Sequence, residues 1–177
     1  IFTPTTLLPV PYTRAWFLLL TTTLFALGSV LLFGSTRVLT AANSDVLYSS
    51  KSDVMQTLTQ KTNELRATKN LPALMQSQKL ELSANDKLRN MQEQRYWGHY
   101  APDGSSFSQY IWQHDTDAQL VGENLARCYN NYDAAFAALV NSPTHYQVLM
   151  GDFTHIGISS QLLQDGCESI VMHFSNS

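Results

Sequence analysis

Clustered positive charge is the first thing this sequence lacks: no run of Lys or Arg occurs in it, and the formal net charge is −3. A nucleic-acid partner would need a basic patch facing its phosphates, so this composition argues against one. Cysteine is scarce. Cys128 and Cys167 are the two present, and their separation matches no zinc-type spacing. No Gly-x-Ser-x-Gly segment occurs, so the strained turn that exposes a hydrolase serine has no carrier here. What remains is ordinary for a globular protein, with 14% charged and 44% hydrophobic residues. The 177 residues leave room for one domain and an appendage.

The appendage is written at the start. Residues 1–14 form an extended lead-in holding three of the six prolines. From Ala15 to Gly34 the chain runs for twenty residues without a charge, flanked by Arg14 and Arg37. At about 1.5 Å per residue they span a hydrocarbon core of roughly 30 Å, and Trp16 sits where an interfacial aromatic belongs. Thr21, Thr22 and Thr23 can bond back to helix carbonyls, and Gly28 and Ser29 are small enough to admit a second membrane protein. The run therefore predicts a single-pass transmembrane helix. Two other readings compete, a secretory signal peptide with Thr40-Ala41-Ala42 as a fair cleavage site, and a buried helix of a soluble protein. The anchor and the signal peptide, the two leading readings, both export the C-terminal domain. One arginine on each side does not orient the helix, and the first residue is Ile, which makes any charge count ahead of the run provisional. Residues 35–52 are mostly small and polar and predict a linker.

Residues 53–177 carry the domain. Val54, Leu58 and Leu65 repeat at helical spacing up to Lys69, with Asp53 as N-cap, and Pro72 prevents continuation. Leu80, Ala84, Leu88 and Met91 form a second stripe that starts at Ser77. Phe107–Gln113 predicts a short helix, Asp115–Gln119 a surface loop, and Asn131–Ser142 an Ala-rich helix packed on a sheet and interrupted by Pro143. The two β-type runs around Gln164-Asp165-Gly166-Cys167 predict a hairpin. Helices first and sheet last give α+β, with helices over a small antiparallel sheet. In an exported domain two cysteines favour one disulfide, Cys128–Cys167, worth roughly 3 to 4 kcal/mol through loop closure. Two free thiols in a cytosolic protein are the alternative.

Chemistry concentrates between Tyr96 and Asn124. Pro102 and Gly104 reverse the chain just after His99, which presents that imidazole from a loop. Tyr96-Trp97-Gly98-His99, Ala101-Pro102-Asp103-Gly104, Gly122-Glu123-Asn124-Leu125-Ala126 and Asn141-Ser142-Pro143-Thr144-His145 occur in this order. Together they resemble the bacterial SCP-like branch of the CAP superfamily, which includes cysteine-rich secretory, antigen 5 and pathogenesis-related proteins. The resemblance covers roughly Val54 to Phe174 and implies a three-layer α-β-α sandwich with a large central cleft. In that family two His and two acidic residues face the cleft, and in some members the His pair binds a divalent cation. Carried over by motif, the cleft residues are His99, Glu123 and His145, with His99 and His145 as candidate ligands for zinc or magnesium. The pattern departs at the second acid, which falls near Ser142, and at the helix Trp that precedes it, which is Leu139 here.

Each residue also has a plain reading. The histidines can be ordinary surface or core groups, and Glu123 can cap a helix or bond to the loop near His99. His114 and His155 have no partner the sequence names, and His173, in a strand on the face of Val171, either lines a cleft or is covered. Three function classes are open. The first is a non-catalytic envelope-binding module for a lipid, glycan or peptide, which needs no cofactor. The second is a metal-assisted hydrolase with Glu123 as base. The third, a serine hydrolase using Ser142 and His145, lacks an oxyanion hole.

Overall fold

The computed structural model describes residues 53–177. The predicted lead-in, membrane helix and linker lie outside the described residues, and among those described no helix is long and apolar enough to cross a membrane. Helix α1 covers residues 53–67, so Asp53, predicted as its cap, is already helical. Its end is a turn in which Asn70 takes the left-handed conformation at φ 58° and the Leu71 N–H donates to the Arg66 carbonyl. That geometry, with Pro72 following, ends the helix. The chain then runs β1 (Met75–Gln76), α2 (Gln78–Glu93), α3 (Ser108–His114), β2 (Val121–Arg127), α4 (Tyr132–Asn141), α5 (Pro143–Leu149), β3 (His155–Leu162) and β4 (Glu168–Ser175). Ser77 caps α2 through its hydroxyl, which accepts from the Leu80 N–H. Pro143, expected to break the Ala-rich helix, also starts α5 at its first turn.

The four strands form one sheet in the order β1-β3-β4-β2. The hairpin pairs β3 with β4, and Gly166 supplies the positive φ of 79° that its turn requires. Two features depart from the sequence expectation. Short β1 lies parallel to β3, so the sheet is mixed rather than antiparallel. Strand β2, not foreseen from sequence, pairs antiparallel with β4 and makes the segment around Glu123 a strand. The disulfide Cys128–Cys167 joins the end of β2 to the start of β4 across 4.6 Å between Cα atoms.

Strand alternation gives the sheet two unlike faces. Ile156, Ile158, Ile170, Met172 and Phe174 pack with Val54 and Leu58 of α1, Ala135 and Leu139 of α4 and Leu149 of α5. The Ala-rich helix thus docks on the sheet as its composition predicts. The opposite face meets α2, with α3 packed behind it. There Gly157 lets the helix backbone touch the strand, because a Cβ at that position would sit 2.2 Å from the Glu81 nitrogen. Helices therefore cover both faces of the sheet, and a mixed α+β domain results.

One buried cation holds three elements together. Arg66 is 1% exposed and its guanidinium donates to the carbonyls of Pro72, Leu149, Gly151 and Phe153, at 2.9, 3.0, 2.8 and 3.3 Å. It satisfies the end of α5 and the approach to β3, where backbone carbonyls would otherwise be orphaned. Burial pushes its pKa down, and the charge of Asp152 opposes that. Asp115 also differs from expectation. Predicted at the surface, it is buried and accepts from Lys79 Nζ at 3.2 Å and Ser175 Oγ at 3.3 Å, which pins the end of α3 to β4.

Candidate functional site

The loop that leaves α2 is built to present His99. The Pro102/Gly104 turn closes as its sequence predicts: Gly104 stands at φ 85° and its N–H donates to the Ala101 carbonyl. Asp103 accepts from both the backbone and the hydroxyl of Ser105, and Tyr100 pairs with Ser106. The His99 carbonyl accepts from the Phe107 N–H at 2.9 Å and from Lys87 Nζ at 3.3 Å. With its backbone held on two sides, the ring has little freedom.

Glu123 receives that ring. His99 Nδ1 lies 2.7 Å from Glu123 Oε1, and His173 Nε2 lies 3.0 Å from Glu123 Oε2. Glu123 and His173 face each other in the β2/β4 register, so the sheet itself sets their contact. His173 Nδ1 is in turn 2.7 Å from Ser83 Oγ on α2. Side-chain exposure falls from 42% at His99 to 0% at Glu123 and His173, so the chain of groups runs from solvent into the core.

The protons can be placed. Burial pushes the His173 pKa down, and the pull of Glu123 does not overcome it, so the ring is neutral at pH 7. Burial pushes Glu123 up, but hydrogen bonds from His173 and His99 and the charge of Lys87 outweigh this and leave its pKa below the usual value. Glu123 is therefore a carboxylate with an imidazole N–H on each oxygen. Neutral His173 gives its one proton to Glu123 from Nε2 and leaves Nδ1 as an acceptor for the Ser83 hydroxyl, whose single proton it shares with the Leu80 carbonyl, 2.9 Å from Ser83 Oγ. His99 donates from Nδ1, which leaves its Nε2 as the free nitrogen on the solvent side.

Lys87 is the second buried charge. Fully covered, it donates to Tyr96 Oη at 3.0 Å and lies 4.9 Å from the centre of the Tyr96 ring and 5.5 Å from that of Tyr110. Burial lowers its pKa and Glu123 raises it. Burial also raises the Tyr96 phenol, with Tyr110 adding to the effect, so the hydroxyl keeps its proton and donates to Asn90 Oδ1 at 2.7 Å. This cation offsets the buried carboxylate without touching it.

His145 stands on α5, whose position is fixed by Asn124 Nδ2 donating to the His145 carbonyl at 3.0 Å. Burial and the charge of His99 both lower its pKa, so it too is neutral near pH 7. No hydrogen bond between its ring and Glu123 occurs among the described residues. Ser142 Oγ pairs with Thr144 Oγ1 at 3.3 Å instead of with His145, which leaves the serine-hydrolase arrangement without its base. His114 pairs with Asp86 at 2.8 Å and His155 with Thr154 at 2.9 Å.

Comparison with known sequences decides the family. The pattern of the CAP family, described as the cysteine-rich secretory protein family, matches residues 59–174. The chain belongs to the CAP family. A CAP domain thus accounts for nearly all of the described fold. An outer surface protein of Borrelia burgdorferi shares 27% identity at a TM-score of 0.65, covering 70% of this chain and 92% of that one. An extracellular protein with an SCP domain from Bacillus anthracis shares 25% identity at a TM-score of 0.62, covering 72% and 41%. A cysteine-rich secretory protein of Staphylococcus aureus, 16% identical at a TM-score of 0.56 over 72% and 40%, shares the fold. An uncharacterized membrane protein of Bacillus subtilis is 29% identical over 110 residues, 59% of this chain and 32% of that protein. The chain spans about a third of that curated relative.

The donor set of this CAP domain does not fit the divalent cation that the family resemblance implies. Among the described residues no group of three or more His, Cys, Asp or Glu could hold a metal ion. The reason is local. Glu123 is covered and both its oxygens are engaged, so His99 Nε2 and the His145 ring are the donors left, one short of the three that an open zinc site uses. His173 is the residue that sequence reasoning passed over. Its signal was its place opposite Glu123, visible only once β2 is recognised as a strand.

Proposed function

We propose that this chain is a membrane-anchored CAP protein whose domain works outside the cytoplasm as a non-catalytic binding module. Its ligand, of lipid, glycan or peptide type, enters a cleft between His99 and His145. One observation carries the reading. Glu123, the base a metal-assisted hydrolase would need, has no side-chain exposure and an imidazole on each oxygen, so it holds the cleft in shape and does not meet substrate. The groups left to meet a ligand are His99 Nε2, exposed Tyr100 and His145, which suit hydrogen bonding and stacking. The apolar run Ala15–Gly34, the disulfide, and the membrane, extracellular and outer-surface names of similar proteins support the location. Gly28 and Ser29 would let a second membrane protein pack against the anchor.

A metal-assisted hydrolase is the second reading, in which His99 Nε2 and neutral His145 would supply two of the three protein ligands that an open zinc site uses. The two readings separate in one experiment. The full chain in lipid nanodiscs, with ¹⁵N-labelled histidine, is titrated with envelope lipids, glycan fragments and peptides, with and without zinc. A binding module shifts the His99 and His145 signals saturably with one class and forms no product. Zinc-dependent cleavage that His145→Ala abolishes would replace binding with hydrolysis.

A further inference from the structure

At the far end of the α2 face from Glu123 lies a pocket that the proposed cleft does not use. Its volume is about 420 Å³, within the range of small-ligand sites. Its lining includes Met91 of α2, Tyr96 and Trp97 of the loop that follows, Arg127 of β2, and Leu163 and Asp165 of the hairpin turn. Glu123 and Arg127 point to the same face of β2, four residues or about 13 Å apart, so pocket and cleft are neighbours and not one site.

The chemistry of this pocket is unbalanced. The Arg127 guanidinium lies 5.1 Å over the Trp97 ring and is ion-paired with Asp165, which fixes its orientation. That pair is the one hydrogen bond its side chain makes among the described residues; Nη1 is left over, and Nε is buried without an acceptor. Arg95 also lines the pocket, at φ 54°, exposed and without an ion-pair partner among the described residues. Two guanidiniums thus face one carboxylate beside an indole and the side chains of Met91 and Leu163. The wall carrying Asp165 is held by the Cys128–Cys167 bond next to it, so the pocket stands formed before any ligand arrives.

We propose that this pocket binds a small aromatic carboxylate, its anion held by Arg95 and Arg127 and its ring laid against Trp97 and Leu163. An anion supplies the missing negative charge, and a planar guanidinium receives a carboxylate through paired N–H donors. A flat apolar body matches the indole and aliphatic walls.

The test uses the full chain in lipid nanodiscs, titrated by calorimetry with naphthoate and with naphthamide, its neutral counterpart of the same shape. Empty nanodiscs serve as the blank. Naphthoate binds saturably at one site and about tenfold more tightly than naphthamide. Arg95→Gln, a change at an exposed and unpaired side chain, brings the two affinities within about twofold. His145→Ala leaves both unchanged, because the cleft is a separate place. Equal binding of the two probes by the wild-type chain overturns the proposal without any variant. Unchanged naphthoate affinity in Arg95→Gln, or its loss in His145→Ala, overturns it as well.

Discussion

Along β4, Ile170, Met172 and Phe174 enter one layer of the protein, while Val171, His173 and Ser175 enter the other. Both sets are fully or nearly covered, yet the first meets the apolar sides of α1, α4 and α5, while in the second Val171 packs with Ala84, Leu88 and Met91 and both His173 and Ser175 meet polar partners, Glu123, Ser83 and Asp115. The contrast separates two tasks within one sheet. The apolar face supplies stability through area removed from water and tight packing, with little dependence on pH. The polar groups around His173 stand because Glu123, Ser83 and Asp115 pair the buried side chains of β4, and this makes that stretch precise and sensitive to protonation.

The largest expected difference comes from breaking the apolar face. Phe174→Ala deletes a fully buried ring beside Phe153 and should cost about 3–5 kcal/mol, equally at pH 7.5 and pH 6. Denaturant unfolding at both values is the check, and a loss that changes with pH would blur the contrast. Cys128→Ser touches both faces at once, since the bond ties β2 to the hairpin. It should cost roughly 3–4 kcal/mol in the oxidised protein and almost nothing after reduction, as read from melting with and without reductant.

Changes on the polar face should be smaller and should carry a pH signature. Glu123→Gln keeps the shape but replaces one accepting oxygen with a donor facing an N–H, at about 1–3 kcal/mol near pH 7. The pH effect follows from His173, whose folded pKa lies below its ordinary 6.5. The unfolded chain takes up this proton first, so the stabilisation is complete above that value and is lost as pH falls below it, by up to about 1.4 kcal/mol per unit. Glu123, with its pKa below the ordinary 4.5, adds a second loss that begins only under that value. His173→Gln should flatten the stability curve between those two pH values while leaving the Phe174→Ala cost unchanged, and an unaltered slope would remove His173 as its source.

The apolar face was largely legible in the sequence, because it is written in periodicity and punctuation. Ser77 before an apolar stripe, the Ala-rich run before Pro143, and Asp165-Gly166 between β-type runs each specify a local structure by local means. The motif residues His99 and Glu123 were likewise visible as a pair worth joining. What stayed hidden depends on non-local pairing. Val121–Arg127 reads poorly as a strand because Gly122, Glu123 and Asn124 interrupt any apolar alternation. Those residues tolerate a strand only because Phe153 fills the space beside Gly122, and His99 and His173 satisfy Glu123. Without β2 there was no reason to set His173 opposite Glu123. Arg66 gave no signal either, since its four acceptors are backbone carbonyls that any sequence would offer, and Asp115 looked like loop polarity until Lys79 and Ser175 closed on it.

The central claim is that Glu123 is a carboxylate held between two imidazoles, neutral His173 donating from Nε2 and His99 donating from Nδ1, with His99 Nε2 the one site nitrogen of that trio turned to solvent. A ¹⁵N NMR titration of the histidine rings in the full chain measures this most directly. The expected result is a neutral His173 protonated at Nε2 that does not titrate near 6.5, and a His99 that carries a proton on Nδ1. A His173 that takes up a proton with an ordinary imidazole pKa, or a His99 whose neutral form carries its proton on Nε2, would contradict it.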